Sequence, residues 1–422
     1  MDITTPAQDV LNFLVQNGQQ ISQQFAAAER FIWNFVLLLG ARMLQLHLAK
    51  ESHGYEGSSR ACPCGENQKF VAHRSRTLAT TMGSVQYQRA YYHCKKCGQS
   101  CCPYDQECGL DSRQMSCELA NKATLLAVHD PFASSSQLLQ RLGGQHLAEA
   151  TIQRTTLKVG AKASEAEKQL ALRMATWNVP PAIAKPKRLY VAVDAAFINL
   201  EDGWHDVKSV VCWWEDERGR IHKRCMTRRA KAEEFKAFVW GLACQCGLQT
   251  ADEVVLLGDG ATWIWDHVAG ILGEKTICIT DWYHVTEHLW TCGKALHGEG
   301  TQAAKSWEKQ LEELLWKGNS AEVLERLRQE QKTHRGGKRQ AIGALITYLE
   351  NQGERLKYAE FHERGLGIGS GRVEATCKQV GVRMKRNGMR WSEEGAQAVL
   401  SLRSVWLNGD WDEFWAQRPM TE

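Results

Sequence analysis

The sequence predicts a multidomain α/β protein, and three observations carry that expectation. Buried-strand runs alternate with helical runs over residues 187–284 in the order β-β-β-α-β-α-β. Residues 60–112 are rich in cysteine and β-type runs, unlike the helical stretches on either side. Pro180, Pro181 and Pro186 in NVPPAIAKPKR would break any helix or central strand and mark a boundary near 178–187. With 422 residues, 43% hydrophobic and 24% charged, the chain has material for roughly two to four domains and a full core.

In the N-terminal region, 1–55, residues 5–50 read as two amphipathic helices. Val10, Phe13, Leu14 and Ile21 mark the first; Phe25, Phe31, Phe35 and Leu38 mark the second. The apolar run FIWNFVLLLGARMLQL (31–46) is interrupted by Asn34 and Arg42 and falls short of the roughly 20 apolar residues of a membrane span. A buried or oligomer-forming helix is expected there, with no membrane. The start, MDITTPAQDV, has neither basic region nor apolar core, so secretion is not expected and the cytoplasm is.

A cysteine module follows at 56–112, where KFVAHRSRTLATTM and VQYQRAYYHC read as strands. Cys62-Pro-Cys64-Gly and Cys94-Lys-Lys-Cys97-Gly have the look of two zinc knuckles, because tetrahedral Zn²⁺ takes four thiolates and a following glycine lets backbone amides approach the sulfurs. CPCG is one residue shorter than the usual CPxCG, which leaves Cys101 and Cys102 as substitutes. Fifteen cysteines, an odd number with no secretion signal, point to metal thiolates in a reducing compartment and not to disulfides.

Over 113–178 three short helices are expected: QMSCELANKATLLAVHD, SSSQLLQRLGG and HLAEATIQRTTLKVG, the last two joined by a Gly143-Gly144 turn. Their spacing is that of a helix-turn-helix, with Gln153, Arg154 and Lys158 of the third helix facing DNA. Such trihelical segments are also common as plain structure.

The core begins at 187 with the strand RLYVAVDAAF. The hairpin strands VKSVVCWWED and GRIHKRCMTR and the helix AEEFKAFVWGLACQCG come next. EVVLLGDG, the helix TWIWDHVAGIL and KTICITD complete it. Residues 285–366 are helical and charged, an insertion; 367–422 return to the core and end in helices.

Asp194 and Asp259 each end a buried strand, where an unpaired carboxylate is costly to desolvate. Asp259, in GDGATW, could simply cap the next helix; Asp194, followed by AAFINL, could not. Two such acids on one sheet edge, completed by Glu374 from a later helix, suit two divalent cations about 4 Å apart in phosphodiester chemistry. Hard oxygen ligands select Mg²⁺ or Mn²⁺.

Strand order, these three acids and the pieces GDGATWIW, TDWYHVTEHL and GSGRVEATCKQVGVRMKRNGMRWSEEGAQAVLSLR resemble the ISKra-type bacterial insertion-sequence transposases, over roughly residues 60–408. The resemblance implies a ribonuclease H-like mixed sheet of the DDE superfamily, with Asp194, Asp259 and Glu374 as catalytic metal ligands. Asp281-Trp-Tyr-His284 resembles the D-x-x-H element of Mutator-like enzymes. That makes Asp281 and His284 supporting residues and leaves Asp281 as the alternative second metal ligand. The same stretch, His284-Val-Thr-Glu287-His288, fits the inverted zinc-peptidase pattern H-x-x-E-H. A peptidase would leave Asp194, Asp259, the cysteine pairs and the basic helix without roles.

After Glu374 come Lys378, Arg383, Lys385, Arg386 and Arg390, with no acid from 375 to 392. Such a run is often a solvated face; here it is expected to hold DNA phosphates. Gly367, Gly369 and Gly371 before it allow close backbone approach. The function expected is a cut-and-paste DNA transposase, acting at the nucleoid: activated water cleaves element ends and the freed 3′-hydroxyl attacks target DNA. The zinc module and helix-turn-helix would read terminal inverted repeats, and pairing of two ends implies a homo-oligomer. The alternatives are a ribonuclease H-like nuclease without strand transfer and a non-catalytic zinc DNA-binding protein.

Overall fold

The computed structural model describes residues 25–49, 53–110 and 114–417, and the chain divides into two compact units, Met1–Thr156 with the tail from Gln417, and Leu157–Ala416. The first expected N-terminal helix lies outside the described residues.

In the first unit the second expected helix is α1, Phe25–Leu48, longer than the apolar run that announced it. By length and composition it could cross a membrane. Its Ala41 and Leu48 nevertheless pack with Leu78, Val85 and Tyr87. Strands β1 (Ser59–Ala61), β2 (Asn67–Thr80), β3 (Gly83–His93) and β4 (Ser100–Cys101) form an antiparallel sheet in chain order. A two-residue loop closes the β2–β3 ribbon, with Gly83 at φ 135° and the Thr80 hydroxyl donating to the Gly83 carbonyl at 2.7 Å. The buried side changes along the ribbon: Val85 and Tyr87 are buried near the turn, then Ala90, Tyr92 and Cys94 further on, on the opposite face by strand alternation. The bulge at Val71 lies in that second half. Asp105, on the short helix α2 (Pro103–Glu107), accepts from the Tyr87 hydroxyl at 2.6 Å and pairs with Arg76 and Arg89, so this buried carboxylate is fully compensated.

Helices α3 (Cys117–His129) and α4 (Phe132–Gly143) match the expected pair, and Gly144 ends α4 in the left-handed region at φ 70°. The third helix is not short. α5 spans Glu149–Leu172 and crosses from the first unit into the second, because AKASEAEKQLAL prolongs the helical pattern and the first breaker is the proline run beyond it. That run, 178–187, contains no helix or strand and lies within the second unit.

The second unit is built on five strands: β5 (Arg188–Leu200), β6 (Gly203–Glu215), β7 (Ile221–Arg228), β8 (Glu253–Gly258) and β9 (Ile277–Thr280). Their order is β7-β6-β5-β8-β9; β5, β6 and β7 run antiparallel, and β5, β8 and β9 parallel. Both faces are covered, which is why the strands read as continuous apolar runs. On one face Leu189, Val191 and Val193 meet Phe235, Val239 and Trp240 of α6 (Ala232–Gln245), with Ile264 and Val268 of a π-wound turn after β8. On the other, Ala192, Val255, Leu257 and Ile279 share a core with the helical segment.

That segment comprises α7 (Trp282–His297), α8 (Gln302–Trp316), α9 (Ser320–Thr333), α10 (Gly336–Gln352) and α11 (Tyr358–Glu363). Its first helix starts three residues before the expected insertion boundary at 285. The segment is not an appendage: Leu289, Leu311, Leu327, Leu345 and Leu349 complete the sheet's core. Helices α12 (Gly371–Met384), α13 (Glu393–Leu407) and α14 (Trp411–Ala416) close the unit.

Candidate functional site

The two cysteine turns meet. Cys62 Sγ lies 3.4 Å from Cys64 Sγ and 3.5 Å from Cys97 Sγ, and Cys64 Sγ lies 3.7 Å from Cys94 Sγ. Four sulfurs around a tetrahedral Zn²⁺ at about 2.3 Å would stand about 3.8 Å apart, so the donor set and its spacing fit a structural metal such as zinc. Each knuckle closes on a glycine at positive φ, Gly65 (87°) and Gly98 (75°), whose amides donate to the Cys62 and Cys94 carbonyls. Hydrogen bonds from the backbone at Cys97 and Lys96 pull the Cys94 thiol down to about 7, whereas Cys62 is pushed up to about 12 and Cys97 is also pushed up, so without a cation the four sulfurs share their protons unevenly. Cys101 is not a substitute ligand: its thiol donates to Gln68 Oε1 at 2.9 Å. Cys102 is at the N-cap of α2. Among the described residues these four cysteines are the single group with three or more ligand atoms within 4.8 Å of one another.

Asp259 and His284 both bear on the charge of Asp194, and Glu374 lies 3.8 Å from His284, though among the described residues no three of these side chains bring ligand atoms within 4.8 Å of one another. Asp194, which YVAVD placed at a strand end, lies in the middle of β5, because the strand runs on through AAFINL to Leu200. The parallel pairing with β8 stops at Ala192↔Leu257, whereas the antiparallel pairing with β6 continues to Leu200. The carboxylate therefore sits where one neighbour has just ended. Its Oδ1 accepts from the Ala195 amide at 2.7 Å. Burial pushes its pKa above the ordinary aspartate value; Asp259 adds to that shift and His284 opposes it. The neighbouring Cys377 thiol on α12 is pushed up to about 12, by burial first and then by the Asp194 charge, so it stays protonated beside the carboxylate.

Asp259 follows β8 directly, and its Oδ1 accepts from the Ala261 amide at 2.8 Å, the turn-capping bond its sequence allowed. The loop that carries it is held by α10. The Tyr348 hydroxyl donates to the Asp259 carbonyl at 2.9 Å, and Gln352 Nε2 to the Gly260 carbonyl at 3.1 Å. Gln352 is buried, and its Oε1 accepts from Trp265 Nε1 and the Thr280 hydroxyl. Gly260 is obligatory: its φ is 102° and a Cβ there would stand 2.8 Å from the Tyr348 ring. Neither Tyr348 nor Gln352 could be picked from sequence, since both lie in a segment that reads as ordinary charged helix.

Asp281 is wholly buried at the N-cap of α7. Its Oδ1 accepts from the amides of Tyr283 (2.6 Å) and His284 (3.2 Å), and its Oδ2 from the Ser370 amide at the N-cap of α12. One carboxylate thus ties the helix of His284 to the helix of Glu374, and both its oxygens are engaged by backbone. In the second unit Asp281→Ala would strip three amides of their acceptor, each worth about 1–3 kcal/mol when buried. Urea unfolding is expected to show a loss of about 3 kcal/mol or more, and a smaller one for Asp281→Asn, which keeps an accepting oxygen.

Glu374 lies in the first turn of α12, where a carboxylate also favours the helix dipole. Its Oε1 is 3.8 Å from His284 Nε2 and its Oε2 is 3.5 Å from Lys378 Nζ. Lys378, Lys385, Arg386 and Arg390 are exposed. Arg383 is not a surface residue: it is fully buried, with its guanidinium 4.8 Å from the Trp391 ring centroid and its Nη1 3.5 Å from Met389 Sδ. It packs the helix down and cannot meet DNA in this arrangement. On α5, Gln153, Arg154 and Lys158 are all exposed, opposite the buried Ile152, Thr156 and Val159. The peptidase pattern does not assemble. His288 stacks on Tyr348 at 3.8 Å, the largely exposed Glu287 lies 3.8 Å from His284 Nδ1, and among the described residues no three of His284, Glu287, His288 and Glu374 bring ligand atoms within 4.8 Å of one another.

Comparison with known proteins adds a family and several relatives. The sequence profile of the uncharacterised protein family UPF0236 matches residues 65–417. A UPF0236 protein in the vanSb 3′ region of Streptococcus gallolyticus is 26% identical over 363 residues, covering 79% of this chain and 73% of that one. A UPF0236 protein of Caldanaerobacter subterraneus subsp. tengcongensis is 21% identical over 366 residues, 81% of this chain and 66% of its own length. Another from that organism, whose name joins eleven designations, is 20% identical over 432 residues, 97% of this chain and 82% of its own.

Proposed function

The chain belongs to the uncharacterised protein family UPF0236, and from that premise we propose that it is the DNA transposase of an insertion sequence. The observation that supports the reading is that Asp194 in mid-strand feels the charge of Asp259 after the neighbouring parallel strand and of His284, which lies 3.8 Å from Glu374 on a distant helix. An order of three antiparallel strands followed by two parallel ones is what a ribonuclease H-like core has, and Asp194 stands on its central strand. A relative whose name joins eleven designations in one genome is a further support, since self-copying DNA leaves such repeats.

Asp194, Asp259 and Glu374 would hold Mg²⁺ or Mn²⁺; all three are oxygen donors, with Glu374 partly open to solvent. Such ions supply activation of the attacking oxygen and neutralisation of the leaving one. Asp281, whose three accepted amide bonds tie α7 to α12, is read as a positioning residue, with Asp259 as the second ligand. His284, beside Glu374, stands where a ring N–H can donate to a phosphate oxygen. Lys378, Lys385, Arg386 and Arg390 hold the backbone of the same DNA. Gln153, Arg154 and Lys158 of α5 would contact the element ends.

The test is a cleavage and joining assay with the full chain, Mg²⁺ and duplexes from the two borders of the DNA that carries its gene. Nicked ends joined to a second DNA are expected. Cleavage without joining would make the protein a nuclease, and binding without cleavage a zinc-dependent DNA-binding protein.

Joining two ends in one event calls for two copies of the site. Phe25, Ile32, Val36 and Met43 form an exposed apolar stripe on α1, at spacings of seven, four and seven residues. We assign it to a second copy of the chain. Ile32→Glu combined with Val36→Glu is expected to turn a dimer into a monomer in sedimentation velocity; an unchanged mass would remove α1 from the interface.

A further inference from the structure

The zinc module was expected to help read element ends, yet no residue of it is assigned to DNA in the reading above; the side of the β2–β3 ribbon beside the cysteine cluster supplies candidates. From Asn67 to Tyr104 the chain contains no aspartate or glutamate, yet it has Lys69, Arg74, Arg76, Arg89, Lys95 and Lys96. Arg76 and Arg89 are turned inward onto Asp105, and Lys96 reaches Glu66 at 2.9 Å. Lys69, Arg74 and Lys95 remain exposed, and no ion pair to them exists among the described residues. Three cations in a stretch without acids give a local positive field that the chain's net charge of +4 conceals.

The patch is also shaped. The Arg74 guanidinium carbon lies 3.5 Å from the centroid of the Tyr91 ring, so the cation is held against an aromatic face. The Tyr91 hydroxyl donates to Ser100 Oγ at 2.7 Å, and His93 Nδ1 lies 2.9 Å from the same oxygen, which fixes both rings across β3 and β4. Lys69 faces His93 across the ribbon. This half of the ribbon shows these side chains because Ala90, Tyr92 and Cys94 are buried on its other face. A two-stranded ribbon has a width that DNA grooves accept, and an arginine stacked on a tyrosine beside lysines suits phosphate oxygens.

We propose that Lys69, Arg74, Tyr91 and His93 form a second duplex-DNA contact, gripping backbone phosphates next to the metal cluster and independent of α5. The choice of DNA as the polyanion rests on the transposase reading. The fourth strand and the knuckle turns then serve as the stand that holds this face rigid.

The experiment is fluorescence anisotropy of the full chain on a random-sequence duplex of about 30 base pairs, titrated at several salt concentrations. Each phosphate contact contributes about 0.9 to the slope of log affinity against log salt. Lys69→Ala with Arg74→Ala is expected to lower that slope by about 2 and weaken binding about tenfold or more, equally for any sequence. Arg74→Lys, which keeps the charge and loses the flat stacking, is expected to keep the slope and lose part of the affinity. Metal content and hydrogen-exchange protection of β2 and β3 are read on the same samples, so that a misfolded module is not counted as lost contacts. A folded double variant with the parent's slope overturns the patch alone. A parent that binds no duplex overturns both the patch and the DNA reading.

Discussion

Asp194→Ala and Glu374→Ala, each made in the full chain, are expected to abolish cleavage of border DNA while leaving duplex binding at the parent level. Groups that stabilise charge at a reacting phosphate carry factors of about 10²–10³ each, and losing a metal ligand removes both activation of the attacking oxygen and neutralisation of the leaving one. Binding survives because Lys378 on α12 and Lys385, Arg386 and Arg390 just beyond its end stay exposed when an acid is removed. The pH dependence has a defined sign. Burial holds the Asp194 carboxyl above its ordinary range, so its charge is lost earlier on acidification than that of an exposed aspartate. Cleavage should therefore fall with decreasing pH from above the usual carboxylate range, and added Mg²⁺ or Mn²⁺ should move the midpoint down by competing with the proton. Full cleavage by Glu374→Ala would remove the three-acid assignment.

The second large effect is expected from the cysteine cluster. Cys94→Ser, or chelation followed by dialysis, should unfold the β-sheet of the first unit while the sheet of the second stays intact. A structural zinc contributes about 10–16 kcal/mol to the folding of small metal modules, far above what a core of Leu78, Val85, Tyr87 and Leu48 supplies. Hydrogen exchange with mass spectrometry reads this directly. Amides of β2 and β3 should lose protection, those of β5 and β8 should keep it, and Zn²⁺ but not Mg²⁺ should restore the first set. Retained protection after complete metal removal would make the cluster incidental to folding.

What was legible in sequence depended on how local its cause is. The cysteine turns, the strand before Asp259 and the glycine that ends α4 each follow from a few adjacent residues, and the structure has them all. Arg383 was also legible and was misread. It follows Val373, Thr376 and Val380 at helical spacing, all of them buried, so the period of α12 put it on the inner face whatever its charge. Asp281 could not be read so. Its role depends on the Ser370 amide, 89 residues away in sequence, and no spacing rule reaches that far. The same holds for Tyr348 and Gln352, whose task is to hold the loop of Asp259 from inside a segment that looked removable.

The change of buried side along the β2–β3 ribbon makes strand alignment in that hairpin unusually consequential. A slip of one residue between β2 and β3 would turn Val85 and Tyr87 outward at one end and Ala90 and Tyr92 outward at the other. Hydrophobic contact alone could then be partly recovered by a wrong pairing. The four sulfurs allow no such compromise, because two stand just before β2 and two just after β3, and they meet only in the native alignment. Beyond adding cohesion, a metal there would act as a proofreading clamp on strand pairing, rejecting hairpins that are well buried but misaligned.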